Sequence, residues 1–205
     1  YVKPGFINLI LKKNIWYEVI SNINKTNNYG LKNIGSNRRV NLEFISANPT
    51  GPLHVGHLRG AVFGDVLSRL MTKTGFKVTK EYYINDLGNQ IENLFQTVKI
   101  HIDNKVNNTN KALKEGMYFG NYLKEIALEL IKENIDLSNK ILAKEIIVEK
   151  ILNLIKDDLR KLGIVFDSFI SEKTIHDQGV LDQVLGFLNK KNLIYEGILE
   201  APKGK

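Results

Sequence analysis

Cysteine is absent from the 205 residues, which excludes disulfides, thiol nucleophiles and thiolate metal sites and fits a reducing cytosol, the expected setting. Long apolar runs are missing too. "FINLIL" gives way at once to Lys12 and Lys13, far short of the roughly 20 residues a membrane span needs. No secretory apolar core opens the chain, so no membrane association is expected. The four histidines, His54, His57, His101 and His176, are too scattered for a metal site, and no HExxH pairing exists, so no metal ligand set is expected. There is neither an arginine cluster nor an aromatic-basic stripe, although the net charge is +7. That charge invites a polyanionic partner such as nucleic acid. The same excess of Lys, Asn and Ile is also what AT-rich codon usage produces. What remains, 43% hydrophobic and 25% charged residues, is the composition of a globular protein with one or two cores rather than a disordered chain.

The chain begins "YVKPGFINLILKK" without an initiator methionine and enters hydrophobic patterning within a few residues, so it is expected to be an excerpt of a longer protein. Ile15, Val19 and Ile23 recur at helical spacing with Trp16 and Ile20 beside them, and the pattern dissolves in "NKTNNYG". Residues 1–37 therefore read as the end of a preceding domain and a linker. From Val40 the period changes to two, with Val40, Leu42 and Phe44 on one face and Asn41 and Glu43 on the other, which predicts a strand. "SANPTGP" ends it, because two prolines and a glycine cannot continue a ladder. Leu58, Val62, Val66 and Leu70 then mark a helix that Gly75 is suited to close, and "FKVTKEYYI" marks a second strand. Strand, helix, strand is a βαβ unit with a parallel sheet.

A helix with Ile91, Leu94, Phe95 and Val98 on its apolar face is expected next, with Asn85 and Asp86 as its N-cap. Periodicity is lost in "HIDNKVNNTNKALKEGM". Beyond it, Leu123 to Ile131 and Ser138 to Leu162 read as helices, the second with Ile147, Ile151, Leu154 and Leu162 on one stripe and Gly163 at its end. "IVFDSFIS" reads as a strand, "GVLDQVLGFLNKKN" as a helix and "LIYEGILEA" as a strand or hairpin arm.

Chemistry concentrates in "NPTGPLHVGHLRG", Asn48 to Gly60. His54 and His57, three residues apart, project from one side of a first helical turn. The free amides and partial positive charge of a helix N-terminus favour an anion, and two imidazole donors there suit a phosphate. Gly56, Gly60 and Gly64 leave a strip without side chains, against which a flat ring or another backbone could lie. The same spacing also fits histidines at the surface or in the core, with the glycines serving helix–strand packing. Context favours the ligand reading, because the motif follows a strand, where parallel sheets bind ligands. Gln90 and Asn89 are candidates to reach that cleft. One of Tyr82 and Tyr83, alternating in a strand, is expected in the core. His101 and His176 read as ordinary residues.

"HVGH" resembles the HIGH signature of class I aminoacyl-tRNA synthetases, and "VNLEFISANPTGPLHVGHLRGAVFGDVLSRLMTKTGFKVTKEYYINDLGNQI" is similar to the bacterial arginyl-tRNA synthetases specifically. "YFGNYLKEIA", "IKDDLRKLGIVFDSFISEKTIH" and "LNKKNLIYEG" extend the resemblance over most of the chain. It implies an α/β fold: a Rossmann-like parallel sheet, the first half of the class I nucleotide-binding fold, over residues 38–98, and an α/β connective insertion over 99–205. It implies ATP as substrate, with Mg2+ carried on it, and arginine and tRNA(Arg) as partners of a cytoplasmic, monomeric enzyme. His54 and His57 would be catalytic, contacting the ATP phosphates, with Pro49, Thr50, Gly51 and Gly56 completing the ATP site. Glu43, Ser46, Asn48 and His57 would form the arginine site. A buried guanidinium needs an anionic partner with fork geometry, which the Glu43 carboxylate would supply. From the residues alone, Glu43 reads as a solvated position on a strand.

Two departures stand out. The family's second signature, KMSKS, and its helical anticodon-binding domain are nowhere in this chain. Position 51 is glycine, where members of the family it resembles that lack the KMSKS lysine can carry a compensating lysine. The alternatives are a small HxGH adenylyltransferase, disfavoured by the insertion-like helices, and a non-catalytic tRNA-binding fragment or paralogue.

Overall fold

Alternation of half-buried Val40 and Leu42 with exposed Arg39, Asn41 and Glu43 produces the first strand, β1 (Arg39–Glu43), in a computed structural model that describes residues 5–198. The chain crosses over through a helix, called α2 here because α1 (Lys13–Lys25) precedes β1. α2 (Val55–Lys73) leads into β2 (Lys77–Ile84). β1 and β2 pair in parallel from Arg39 opposite Lys77 to Glu43 opposite Glu81. Thr74 caps α2, and Gly75 follows at φ +90°, a conformation that glycine adopts without strain. The βαβ unit read from the sequence is therefore present.

α2 turns against its sequence pattern. Ala61, Gly64, Asp65 and Ser68 are its buried residues, whereas Leu58, Val62, Val66 and Leu70, the apolar stripe, are exposed together with Phe63. The reason is closeness of approach. A Cβ at Gly64 would fall within the ring of Phe44, so the small-residue face is the one that packs on the sheet. Buried Asp65 accepts from Arg69 Nε at 2.6 Å and lies 3.7 Å from Lys80 Nζ on β2.

α3 (Asn89–Val106), α4 (Asn121–Lys132) and α5 (Lys140–Lys161) follow. Ile91, Leu94, Phe95 and Val98 are all buried, as their spacing predicts. α3 runs on through His101 to Val106, into the stretch whose periodicity fails, so the expected division at 98/99 falls inside a continuous helix. Its N-cap is Gly88, at φ +81°, and not Asn85 or Asp86. On α5 the buried residues include Ile147, Ile151, Ile155 and Leu159, while Leu154 and Leu162 lie at the surface. The true stripe keeps to multiples of four, and the expected one drifts off the buried face. Gly163 closes the helix at φ +71°.

"IVFDSFIS" yields only a short strand, β3 (Ser168–Ser171), which pairs in parallel with Glu81–Ile84 of β2. The sheet order is β1-β2-β3, so the segment expected as an insertion returns a strand to the first sheet. One cluster of buried residues joins Tyr82 and Ile84 of the sheet to α3, α4 and α5. α6 (Glu172–Asp177), unforeseen in the sequence, is capped by the Ser171 side chain, and α7 (Val180–Lys190) follows. Residues 193–198 have no regular structure. The rest of the expected "LIYEGILEA" strand and Pro4 of "PGFIN" lie outside the described residues.

Candidate functional site

The carboxyl ends of three parallel strands come to one side of the sheet, which is where open α/β sheets form a ligand crevice. β1 leaves this end through residues 44–54. Two non-glycine residues there, Ile45 at φ +66° and Ser46 at φ +39°, adopt left-handed backbone. For a β-branched residue this is strained, and strain of that kind persists only where surrounding contacts hold it. Three contacts do so. Ser46 Oγ accepts from the Tyr83 N–H at 3.0 Å, Tyr82 Oη donates to the Ala47 carbonyl at 2.9 Å, and Tyr122 Oη donates to the Thr50 carbonyl at 2.8 Å. Tyr82 is fully buried, as expected of one of the pair, and burial pushes its hydroxyl up to about 12, so it remains a donor.

The loop delivers His54 as the N-cap of α2. The Gly56 N–H donates to His54 Nδ1 at 3.1 Å, and the His54 N–H donates to His57 Nδ1 at 3.2 Å. The rings stack with centroids 3.8 Å apart. An Nδ1 that accepts from a backbone amide carries no proton, so in each neutral ring the proton sits on Nε2. Both histidines thus use one nitrogen to cap the helix and retain an Nε2–H donor. Burial, and secondarily the neighbouring His54, hold His57 below the ordinary histidine value, which favours this neutral form. Gly60 presents open backbone, since a Cβ there would meet nothing, whereas a Cβ at Gly56 would stand 2.9 Å from the His54 ring that caps the helix. The bare strip therefore divides: Gly64 serves sheet packing, Gly56 makes room for the His54 ring, and Gly60 faces open space.

The other expected residues fall around this helix start. Asn48 is exposed and Pro49 is buried, while Thr50 and Gly51 lie against Tyr122. Glu43 is exposed at the end of β1. It is not alone there: the Tyr83 hydroxyl is pushed up first by burial, then by the negative charges of Glu172, Asp86 and Glu43. Each of these carboxylates follows or ends a different strand, so the site has a hydrogen-bond-donating helix start and an anionic side. Asp86 accepts from Ser171 Oγ at 2.6 Å and from the Lys173 N–H at 2.9 Å, so it braces the start of α6 instead of capping α3. Gln90 turns its amide onto the Asn85 carbonyl, 2.8 Å away. No group of three or more potential metal-ligating side chains occurs among the described residues. The residues that sequence reading missed are Tyr122, Asp86 as a brace, and Glu172. The roles of Tyr122 and Asp86 depend on partners 72 to 87 positions away, and that of Glu172 on the comparably distant Tyr83, beyond the reach of local spacing.

Comparison with known proteins identifies a family and a fold. Residues 18–197 match the family model described as the catalytic domain of class I tRNA synthetases (R). Among curated relatives, an arginine–tRNA ligase of Anaplasma phagocytophilum is 45% identical over 208 aligned residues, and one of a Wolbachia symbiont of Brugia malayi is 44% identical over 207. Each alignment covers 98% of this chain, which spans 36% of the relatives' length. Among solved structures, one from Campylobacter jejuni assigned as an arginyl-tRNA synthetase superposes with a TM-score of 0.79 at 34% identity, over 91% of this chain and 42% of that one.

Proposed function

Because the chain belongs to the family of class I tRNA synthetase (R) catalytic domains, we propose that it builds the adenylate-forming half-site of an arginine–tRNA ligase. The relatives' names support arginine as the amino acid, and the carboxylates beside Tyr83 suit its guanidinium. The observation that carries the reading is the stacked pair His54 and His57, each with Nδ1 committed to the backbone and Nε2–H left over, at the start of α2.

In this reading the triphosphate lies at the amino end of α2, with Pro49, Thr50 and Gly51 beside it and adenine against the bare backbone at Gly56. Glu43, Ser46, Asn48 and His57 face arginine. The arginine carboxylate attacks the α-phosphorus, the bond to the bridging oxygen breaks, and pyrophosphate leaves with that electron pair. The two imidazoles steady the charge that grows on the phosphate oxygens. A hydroxyl of the terminal tRNA adenosine then attacks the arginyl carbonyl and AMP leaves. No covalent bond to the protein forms, so positioning and electrostatics supply the catalysis. Mg2+ would arrive on the triphosphate oxygens, and the setting is that of a cytoplasmic monomer. Residues 1–37 would be the end of a preceding domain and 38–98 the first half of the nucleotide-binding fold, whose sheet β3 of the 99–205 segment rejoins, the rest of that segment forming the connective insertion.

The test is ATP–pyrophosphate exchange by the complete gene product with arginine and tRNA present. His54→Ala is expected to slow it roughly 10²-fold or more, as loss of a preorganised donor does. An unchanged rate removes His54 from the chemistry. Exchange dependent on another substrate, or none in the wild type, overturns the reading in favour of a different adenylyltransferase or a tRNA-binding protein.

A further inference from the structure

Tyr122 stands on the first turn of α4, next to Leu123, which is fully buried in the core shared with α3 and α5. Its hydroxyl donates to the Thr50 carbonyl at 2.8 Å, four positions before His54. Two glycines make room for the side chain. A Cβ at Gly51 would stand 2.9 Å from the hydroxyl, and a Cβ at Gly120, where φ is +155°, would run into the ring. The ring is thus clamped at root and tip, and its one polar atom is spent on the loop that carries the histidine. Burial raises the hydroxyl above its ordinary value, so it stays protonated and able to donate at neutral pH.

The three anchors of the loop divide it. Ser46 and Tyr82 hold its start, at Ser46 and Ala47, whereas Tyr122 alone among them holds the part adjoining the start of α2. We propose that Tyr122 is a positioning residue for the nucleotide side of the site, setting the height of the Thr50–Gly51 backbone and through it the placement of His54. The assignment to the nucleotide side rests on the function proposed above; the holding of the loop does not. Gly51 is required as glycine for the same reason, because any side chain there displaces the hydroxyl.

Hydrogen exchange followed by mass spectrometry on the complete gene product tests the holding of the loop. Tyr122→Phe is expected to speed exchange at the amides of residues 50–54 about five- to ten-fold, the equivalent of one neutral hydrogen bond, while β1 and β2 keep their protection. Unchanged exchange there overturns the proposal, whatever the enzyme's activity. Kinetics then tests the nucleotide side. In pyrophosphate exchange the KM for ATP is expected to rise about five-fold in Tyr122→Phe with the KM for arginine within two-fold. Gly51→Ala should act alike, and the double variant Gly51→Ala, Tyr122→Phe should be no worse than either single one, because the missing hydroxyl frees the space the methyl needs. Equal rises in both KM values, or additive losses in the double variant, overturn a positioning role in favour of a purely structural one. A wild type that exchanges no pyrophosphate defeats the function proposed above and leaves the loop measurement to decide Tyr122.

Discussion

An imidazole has two nitrogens, and at the start of α2 each histidine divides them between the fold and the ligand side. The His54 and His57 Nδ1 atoms accept from backbone N–H groups, so neither can take a proton there without losing its helix cap. His57 is held below the ordinary value by burial and then by His54. The folded protein therefore binds this proton less readily than the unfolded chain. The resulting contribution to stability is whole above about pH 6.5 and is lost as the pH falls from there through the lowered His57 value. Nitrogen-15 NMR of the free protein should find His57 titrating below 6.5. A midpoint at or above 6.5 would contradict the cap. The spacing of the two histidines was legible in the sequence. Their tautomers were not, because these follow from hydrogen bonds to particular backbone amides.

α2 shows how a helix can have the right period and present the other face. Leu58, Val62, Val66 and Leu70 spell a helix, yet the face against the sheet is Ala61, Gly64, Asp65 and Ser68. Period identifies the element; the gap available decides which face fills it. Gly64→Ala would push a methyl into the Phe44 ring and is expected to cost about 1–3 kcal/mol in urea unfolding of the complete gene product. Gly60→Ala, which meets nothing in this structure, serves as its control. A Gly64→Ala protein as stable as wild type would mean that Phe44 is free to move. On α5 the sequence stripe is right at Ile147 and Ile151 and wrong at Leu154 and Leu162, since leucine is common on half-exposed surfaces as well as in cores. The N-cap expected at Asn85 and Asp86 failed for a related reason. A carboxylate at a strand–helix junction suits a cap, but here a hydroxyl and an amide from the β3–α6 junction claim it.

At the scale of the molecule, the outward stripe of α2 and the unpaired edge of β1 leave one side of the fold open among the described residues. Phe63 is 69% exposed and Val55 85%, and Val55, Leu58, Val62, Phe63 and Val66 border one shallow, largely apolar hollow. Such a continuous apolar face on a globular protein marks a surface meant for contact. The chain spans little more than a third of its relatives' length, 36%, which leaves ample polypeptide to cover it in a protein of their size. In the complete gene product, Val62→Asp is therefore expected to lower stability by more than about 2 kcal/mol, because a carboxylate would be buried among apolar side chains with only Arg59 of the hollow able to face it. A change within about 0.5 kcal/mol would show that this side of α2 faces water. No described helix is long and apolar enough to cross a membrane.

Alternation in β1, the prolines that end it and the glycine past α2 were enough to write down a βαβ unit with two histidines at its crossover helix, since period and turn chemistry act over a few neighbouring residues. A fifty-residue likeness was enough to suggest the family. Which face of α2 is buried, that β3 returns to pair with β2, and that Tyr122, Asp86 and Glu172 converge on the site were settled by the packed molecule. Those facts depend on atoms brought together from distant parts of the chain, and local spacing carries no record of the distances between them.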